Sequence, residues 1–188
     1  MINLLYPNGL QTWSPFWFFI TVTKMNVTFE KNDGKEEWMT PPYVVEALNT
    51  KFDLDPCSEE GSFARFADKV YTKKDNGLIQ SWSGRVWCNP PYGNKAGDFL
   101  KKLKEHGNGI ALIFARTETR VWFDHIWNDA TALFFIKGRL AFYTKEGKKG
   151  GSAGSPSVLV AYGKENAELL KNCNLDGKYV ELKKDNDK

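Results

Sequence analysis

Apolar residues in this chain fall into short runs separated by amphipathic or polar stretches. Gly109–Ala115 (GIALIFA) is apolar throughout, as a strand buried on both faces requires. Thr131–Ile136 and Val158–Tyr162 read the same way, and Val86-Trp87-Cys88 is a shorter run of that kind. Lys51–Asp55 (KFDLD) alternates until Pro56 stops it. Val70–Thr72, Leu140–Tyr143 and Tyr179–Leu182 are weaker strand candidates. Helical patterns lie between. Lys95–Gly107 puts Phe99, Leu100 and Leu103 on one face and Lys101, Lys102 and Lys104 on a solvated one, with Gly107 as the stop. Thr119–Trp127 predicts a second amphipathic helix and Glu165–Lys171 a short one. Tyr43–Asn49 has Val44, Val45 and Leu48 at helical spacing, with Thr40 as N-cap and Pro41 at the first helical position. Strands alternating with helices imply an α/β fold, a mostly parallel sheet covered on both faces. The last two long strands, joined by a long loop, are candidates for antiparallel pairing.

The run Val86–Cys88 ends abruptly at Asn89-Pro90-Pro91-Tyr92. Neither proline donates a ladder hydrogen bond, and each fixes φ. Pro90 also biases Asn89 away from helical geometry. The result is a stiff turn at the carboxyl end of a strand, where open α/β sheets bind ligands. Asn89-Pro90-Pro91-Tyr92 resembles the catalytic tetrapeptide of S-adenosylmethionine-dependent methyltransferases that modify planar amino or amide nitrogens. The resemblance implies an exocyclic amine as substrate, a poor nucleophile because its lone pair is delocalised into the ring. Two acceptors, the Asn89 side-chain oxygen and the Pro90 carbonyl, are placed to take both amine hydrogens and favour a pyramidal nitrogen. Tyr92 offers a flat face for a base, worth about 1–3 kcal/mol in single-strand binders. An ordinary polar turn capping a strand is the plainer alternative.

Composition sets the frame for this chemistry. The 188 residues suit one domain with a sizeable core. A net charge of +3 permits nucleic-acid binding without demanding it. The 3 cysteines, Cys57, Cys88 and Cys173, form no C-x-x-C pair, which points to a reducing compartment and to no metal site. Met1–Lys24 lacks acidic residues and differs in composition from the rest of the chain, so it reads as an extension before the domain Met25–Lys188. Its apolar stretch Phe16–Ile20 is far short of the ~20 residues that span a bilayer. Asn26–Glu37 is polar loop, and Lys145–Pro156 is a glycine-rich basic loop.

In order and spacing, EEWMTPP, FDLDPCS, KKDNGL, RVWCNPPYG, TRVWFDHI, FFIKGRLAFY and SPSVLVAYG resemble the bacteriophage-type DNA adenine methyltransferases, the phage Dam-like family, over roughly Glu36 to Gly163. The resemblance implies methylation of the exocyclic amine of adenine in DNA, S-adenosylmethionine as cofactor, and work in the bacterial cytoplasm. It also implies a Rossmann-like methyltransferase fold. About 33 residues separate Asp55 from Asn89, too few for two full crossover units, so this fold is expected in reduced form, missing a helix or strand there. Carried over by motif, Asn89, Pro90, Pro91 and Tyr92 are the catalytic turn. Asp55, Pro56 and Cys57 lie beside the cofactor, though only Gly61 follows where the family has a glycine-rich run. Thr40 and Pro41 close its methionine end, and Asp75 its nucleoside end unless it merely shapes an Asn-Gly turn. Arg116, Arg120, Arg139, Lys145, Lys148 and Lys149 are the candidate DNA contacts. Asn-Pro-Pro-Tyr also occurs in enzymes that methylate cytosine, RNA or protein glutamine, and a catalytically silent binder on the same fold is a further alternative.

Overall fold

The computed structural model describes residues 39–93, 95–144 and 146–182. All of these residues belong to one compact unit of the chain. The expectations for Met1–Lys24, Asn26–Glu37 and Lys145 fall outside them. In chain order the elements are α1 (Pro42–Glu46), β1 (Phe52–Asp55), β2 (Ala67–Val70), β3 (Val86–Cys88), α2 (Ala96–His106), β4 (Gly109–Phe114), α3 (Arg120–His125), β5 (Ala132–Ile136), β6 (Ala141–Tyr143), β7 (Lys149–Ser152), β8 (Ser157–Tyr162), α4 (Lys164–Lys171) and β9 (Gly177–Glu181).

A seven-stranded sheet in the order β2-β1-β3-β4-β8-β5-β9 forms the centre. Neighbours from β2 to β4 pair in parallel. Strand β8 runs antiparallel between β4 and β5, and β9 antiparallel at the edge of β5. Strands β1 to β5 therefore share one direction. The last two long strands, β5 and β8, pair antiparallel as expected, and β9 adds a further antiparallel strand at the free edge of β5. The long apolar runs fall where burial is greatest. Strand β8 sends Leu159 and Ala161 into the core on one face and Val158, Val160 and Tyr162 into the core on the other. Alternation along a pleated strand makes this division automatic.

Among the described residues no helix lies between β1 and β3, and β2 is the one element of that interval. Strand β2 occupies Ala67–Val70 instead of Val70–Thr72, because its pairing with β1 starts at Ala67 opposite Phe52. The first helix starts at Pro42 with Pro41, not Thr40, as its N-cap. Thr40 is 2% exposed and its hydroxyl makes no cap bond. That helix ends at Glu46 and not Asn49, which has a positive φ of 46° that turns the chain toward β1. The glycine-rich segment is only partly loop, since Lys149–Ser152 pairs with β6 in a separate two-stranded sheet. Gly147, at φ 80°, supplies the left-handed turn this hairpin needs.

The lysine face of α2 is not wholly solvated. Lys102 Nζ donates to the carbonyls of Leu78 at 2.6 Å and Gln80 at 2.5 Å, and lies 5.2 Å from the centre of the Trp82 ring. Trp82 in turn donates its indole N–H to Gly77. A single cation thus ties the loop before β3 to α2. Lys102→Ala should cost about 1.5–3 kcal/mol, the range for hydrogen bonds to a charged group. Chemical denaturation measures the loss, and faster amide exchange at Ile79 and Gln80 locates it. Wild-type stability and exchange would show that the loop stands without the lysine.

Candidate active site

Parallel pairing of β1, β3 and β4 puts their carboxyl ends side by side. Asp55 ends β1, Asn89 follows β3, and Phe114 ends β4. Two motifs that lie far apart in sequence therefore meet. The Cys57 thiol donates to the Asn89 backbone carbonyl at 3.2 Å, and its sulfur is 3.8 Å from that of Cys88. Cys57, expected to face a cofactor, is thus directed toward the Asn89–Tyr92 turn. Burial pushes its thiol well above the ordinary value, and the neighbouring Cys88 and Asp55 push the same way. It acts here as a neutral donor.

Asp55 is 7% exposed, and its Oδ1 accepts the Cys57 N–H at 3.1 Å. Burial raises its carboxyl to about 7, with bonds from Cys57 opposing and Glu59 adding to the rise. The loop after β1 is pinned to the end of β2, Tyr71 N–H bonding Asp55 O and Ser58 N–H bonding Tyr71 O. Pro56 also abuts the next loop, because a methyl group at Gly77 would overlap the Pro56 carbonyl. That loop carries Asp75, whose Oδ2 accepts from the Thr72 N–H at 2.7 Å and hydroxyl at 2.9 Å. These bonds hold its carboxyl below the usual range and favour the turn-shaping alternative.

In the Asn89–Tyr92 turn, Pro90 is buried and Pro91 exposed, while the Asn89 side-chain oxygen is shielded from water. Tyr92 is 40% exposed. Its ring stacks on Phe114 with centroids 4.3 Å apart and planes 14° apart, and Phe142 of β6 meets both rings edge-on. The hairpin that supplies Phe142 reaches the other motif as well. Tyr143 and Met39 exchange backbone hydrogen bonds of 2.7 and 3.0 Å, which sets Thr40 and Pro41 against β6. Phe63, from the loop after β1, packs on Tyr143 at 5.7 Å. Sequence reading misses Phe114, Phe142 and Phe63, because each looks like an ordinary apolar residue in its run.

The basic candidates separate. Arg116 follows β4 with its guanidinium carbon 5.8 Å from the Phe114 ring centre, beside the Tyr92 stack. Arg120 pairs with Asp124 at 3.0 Å along one face of α3. Lys148 and Lys149 are exposed on the β6–β7 hairpin, and Arg139 is exposed in the turn before β6.

Neighbouring parallel strands deliver a buried carboxyl, a proline-stiffened amide turn and a half-exposed aromatic ring to one end, the end at which open α/β sheets bind their ligands. The chain belongs to the DNA N-6-adenine-methyltransferase (Dam) family, whose model matches residues 27–179. It is an enzyme, and the reaction of its family is methylation of adenine N6 in DNA. No curated protein and no solved structure matches it. Among the described residues no helix is long and apolar enough to cross a membrane.

The state of Asp55 has a measurable sign. Its carboxyl titrates near 7 in the fold and near ~3.9 in the unfolded chain. Below about pH 4 both states are protonated and the full contribution is present. As pH rises from there to about 7 the unfolded chain ionises first, so stability falls, by about 4 kcal/mol if that gap holds in full. Denaturation of wild type and Asp55→Asn between pH 4.5 and 8 should show a falling component that the variant lacks. Parallel curves would contradict it.

Proposed function

We propose that this enzyme is an S-adenosylmethionine-dependent adenine methyltransferase on a reduced Rossmann-like fold, with Asn89–Tyr92 as its catalytic turn. The observation that carries this reading is the Cys57–Asn89 contact, which joins the Asp55-Pro56-Cys57 motif to that turn. The residues fit a cationic cofactor. Among the described residues no cation pairs with the carboxyl buried at the ligand end of β1, and a bound cation would supply the compensating charge. Asp55 and Pro56 would hold the cofactor from one side, and Thr40 and Pro41 from the hairpin side. S-adenosylmethionine, when bound, supplies a methyl group activated by a sulfonium.

The protein's part is to bring the adenine amine to that methyl group. The target base leaves its stack at a cost of a few kcal/mol. Tyr92 receives the base on its open face. Asn89 Oδ1 and the Pro90 carbonyl accept the two N6 hydrogens and stabilise the pyramidal nitrogen, an interaction strongest in the transition state. The prolines and the Cys57 thiol keep these acceptors from moving, so little reorganisation accompanies reaction. Positioning of this kind contributes about 7–11 kcal/mol in favourable cases. Arg116, Lys148 and Lys149 would hold phosphate, with Arg120 and Arg139 further out.

A labelled-methyl transfer assay with identification of the modified nucleoside tests the reading as a whole, and N6-methyladenine is the expected product. Asn89→Ala tests the centre of the mechanism. Loss of one preorganised polar contact costs about 2.7–4 kcal/mol, so the single-turnover rate should fall at least a hundredfold with cofactor affinity retained. Tyr92→Ala should also raise the KM for DNA, whereas Tyr92→Phe should be mild. A folded Asn89→Ala enzyme at the wild-type rate would sink the mechanism.

The hairpin lysines make a separate prediction. Replacing Lys148 and Lys149 by alanine should weaken DNA binding and flatten its logarithmic salt dependence by about 1.8, as two released counterions require. An unchanged slope would place the hairpin away from the phosphates.

A further inference from the structure

We propose that Phe114 is a positioning residue for methyl transfer: its ring backs Tyr92 and fixes the plane on which the extruded base is received. This role rests on the proposed function of Asn89–Tyr92 as the catalytic turn. Pro90 and Pro91 stiffen the backbone up to Tyr92 but leave the torsions of its side chain free. Beyond it, Gly93 adopts φ 105°, a conformation open to glycine, and a side chain there would meet nothing within 4 Å. Covalent geometry alone therefore does not set the ring.

Contacts do. Phe114 covers one face of Tyr92 at 4.3 Å and 14°. Phe142 stands at 90° to both rings, 6.2 Å from Tyr92 and 6.4 Å from Phe114. Offset stacking and edge-to-face contact are the favoured aromatic arrangements. Tyr92 is 40% exposed, and with one face and an edge occupied the opposite face is the one left for a planar base to cover. The base, Tyr92 and Phe114 would then form three parallel layers, with Arg116 alongside the last.

Phe114 is itself well anchored. It lies opposite Ser157 at the end of the β4–β8 ladder. Its carbonyl accepts the Arg116 N–H at 2.8 Å and the Trp122 indole N–H at 3.3 Å. A ring held by the central sheet thereby transmits its orientation to a ring on a turn, as a well-ordered site requires.

The test separates stacking from mere filling of space. Phe114→Leu and Phe114→Met keep an apolar side chain and remove the flat face, whereas Phe114→Tyr keeps both. Each variant is checked for folding by circular dichroism and for S-adenosylmethionine affinity by calorimetry. Methyl transfer to unmethylated DNA is then measured. The expected result is unchanged cofactor affinity, a loss in kcat/KM for DNA of about 10- to 100-fold in the Leu and Met variants, and recovery to within about threefold of wild type in Phe114→Tyr. Wild-type kcat/KM in either apolar variant would overturn the role, as would an equal loss in Phe114→Tyr, or loss of cofactor binding along with DNA turnover. A wild-type protein that leaves adenine in DNA unmethylated would overturn the methyl-transfer reading, and this role with it. An active wild type matched by Phe114→Leu would overturn the role alone.

Discussion

Val86, Trp87 and Cys88 lose all contact with water between two parallel strands, and that burial decides where the chain can turn. Each large apolar side chain buried this way contributes about 1.5–3 kcal/mol. Trp87 anchors the strand further by packing on Phe52 and Phe66. Shifting this strand by one residue would turn its side chains to the opposite faces of the sheet. The register is therefore held firmly, and with it the place where Asn89 emerges. The Asp55 loop emerges one strand away for the same reason. The Cys57–Asn89 contact follows from the pairing of β1 with β3 more than from any attraction of its own.

The elements most legible in the sequence are those whose burial is total. Strands β4, β5 and β8 announce themselves as apolar runs, since no loop carries so many such residues without exposing them. Helix α2 is equally plain from Phe99, Leu100 and Leu103 and from Gly107, which takes the left-handed conformation at its end. Strand β7 is not legible, because Lys149-Gly150-Gly151-Ser152 has no apolar side chain and its pairing is imposed by β6 across the turn. Strand β2 is half legible: only Ala67 in it is fully buried, so its boundary depends on register with β1. The N-cap is misplaced in the sequence reading because Thr40 precedes two prolines, and the helix begins at the second.

The site divides along similar lines. Motif chemistry marks Asn89–Tyr92, and strand-end logic marks Asp55. Neither shows that Phe114 emerges from its strand beside Tyr92, since the last residue of GIALIF differs in no visible way from the residues before it. Nor does spacing reveal the hairpin as a bridge. On one side of β6, Phe142 reaches the Tyr92 ring. The Tyr143 backbone reaches Met39 and so carries Thr40 and Pro41 into place. Groups separated by about a hundred residues become neighbours through one short pair of strands.

The position of β8 has a consequence for how the molecule is assembled. The sheet consists of a half made of β2, β1, β3 and β4 and a half made of β5 and β9, and β8 is the strand that joins them. Until Ser157–Tyr162 leave the ribosome, β4 and β5 each present an apolar edge with unpaired backbone groups, the kind of template on which nascent chains aggregate. Insertion of β8 closes both edges at once, at a sequence separation from β4 that makes the step slow in the sense of contact order. The strand end that carries Phe114 is paired only once β8 is in place, because its ladder partner is Ser157.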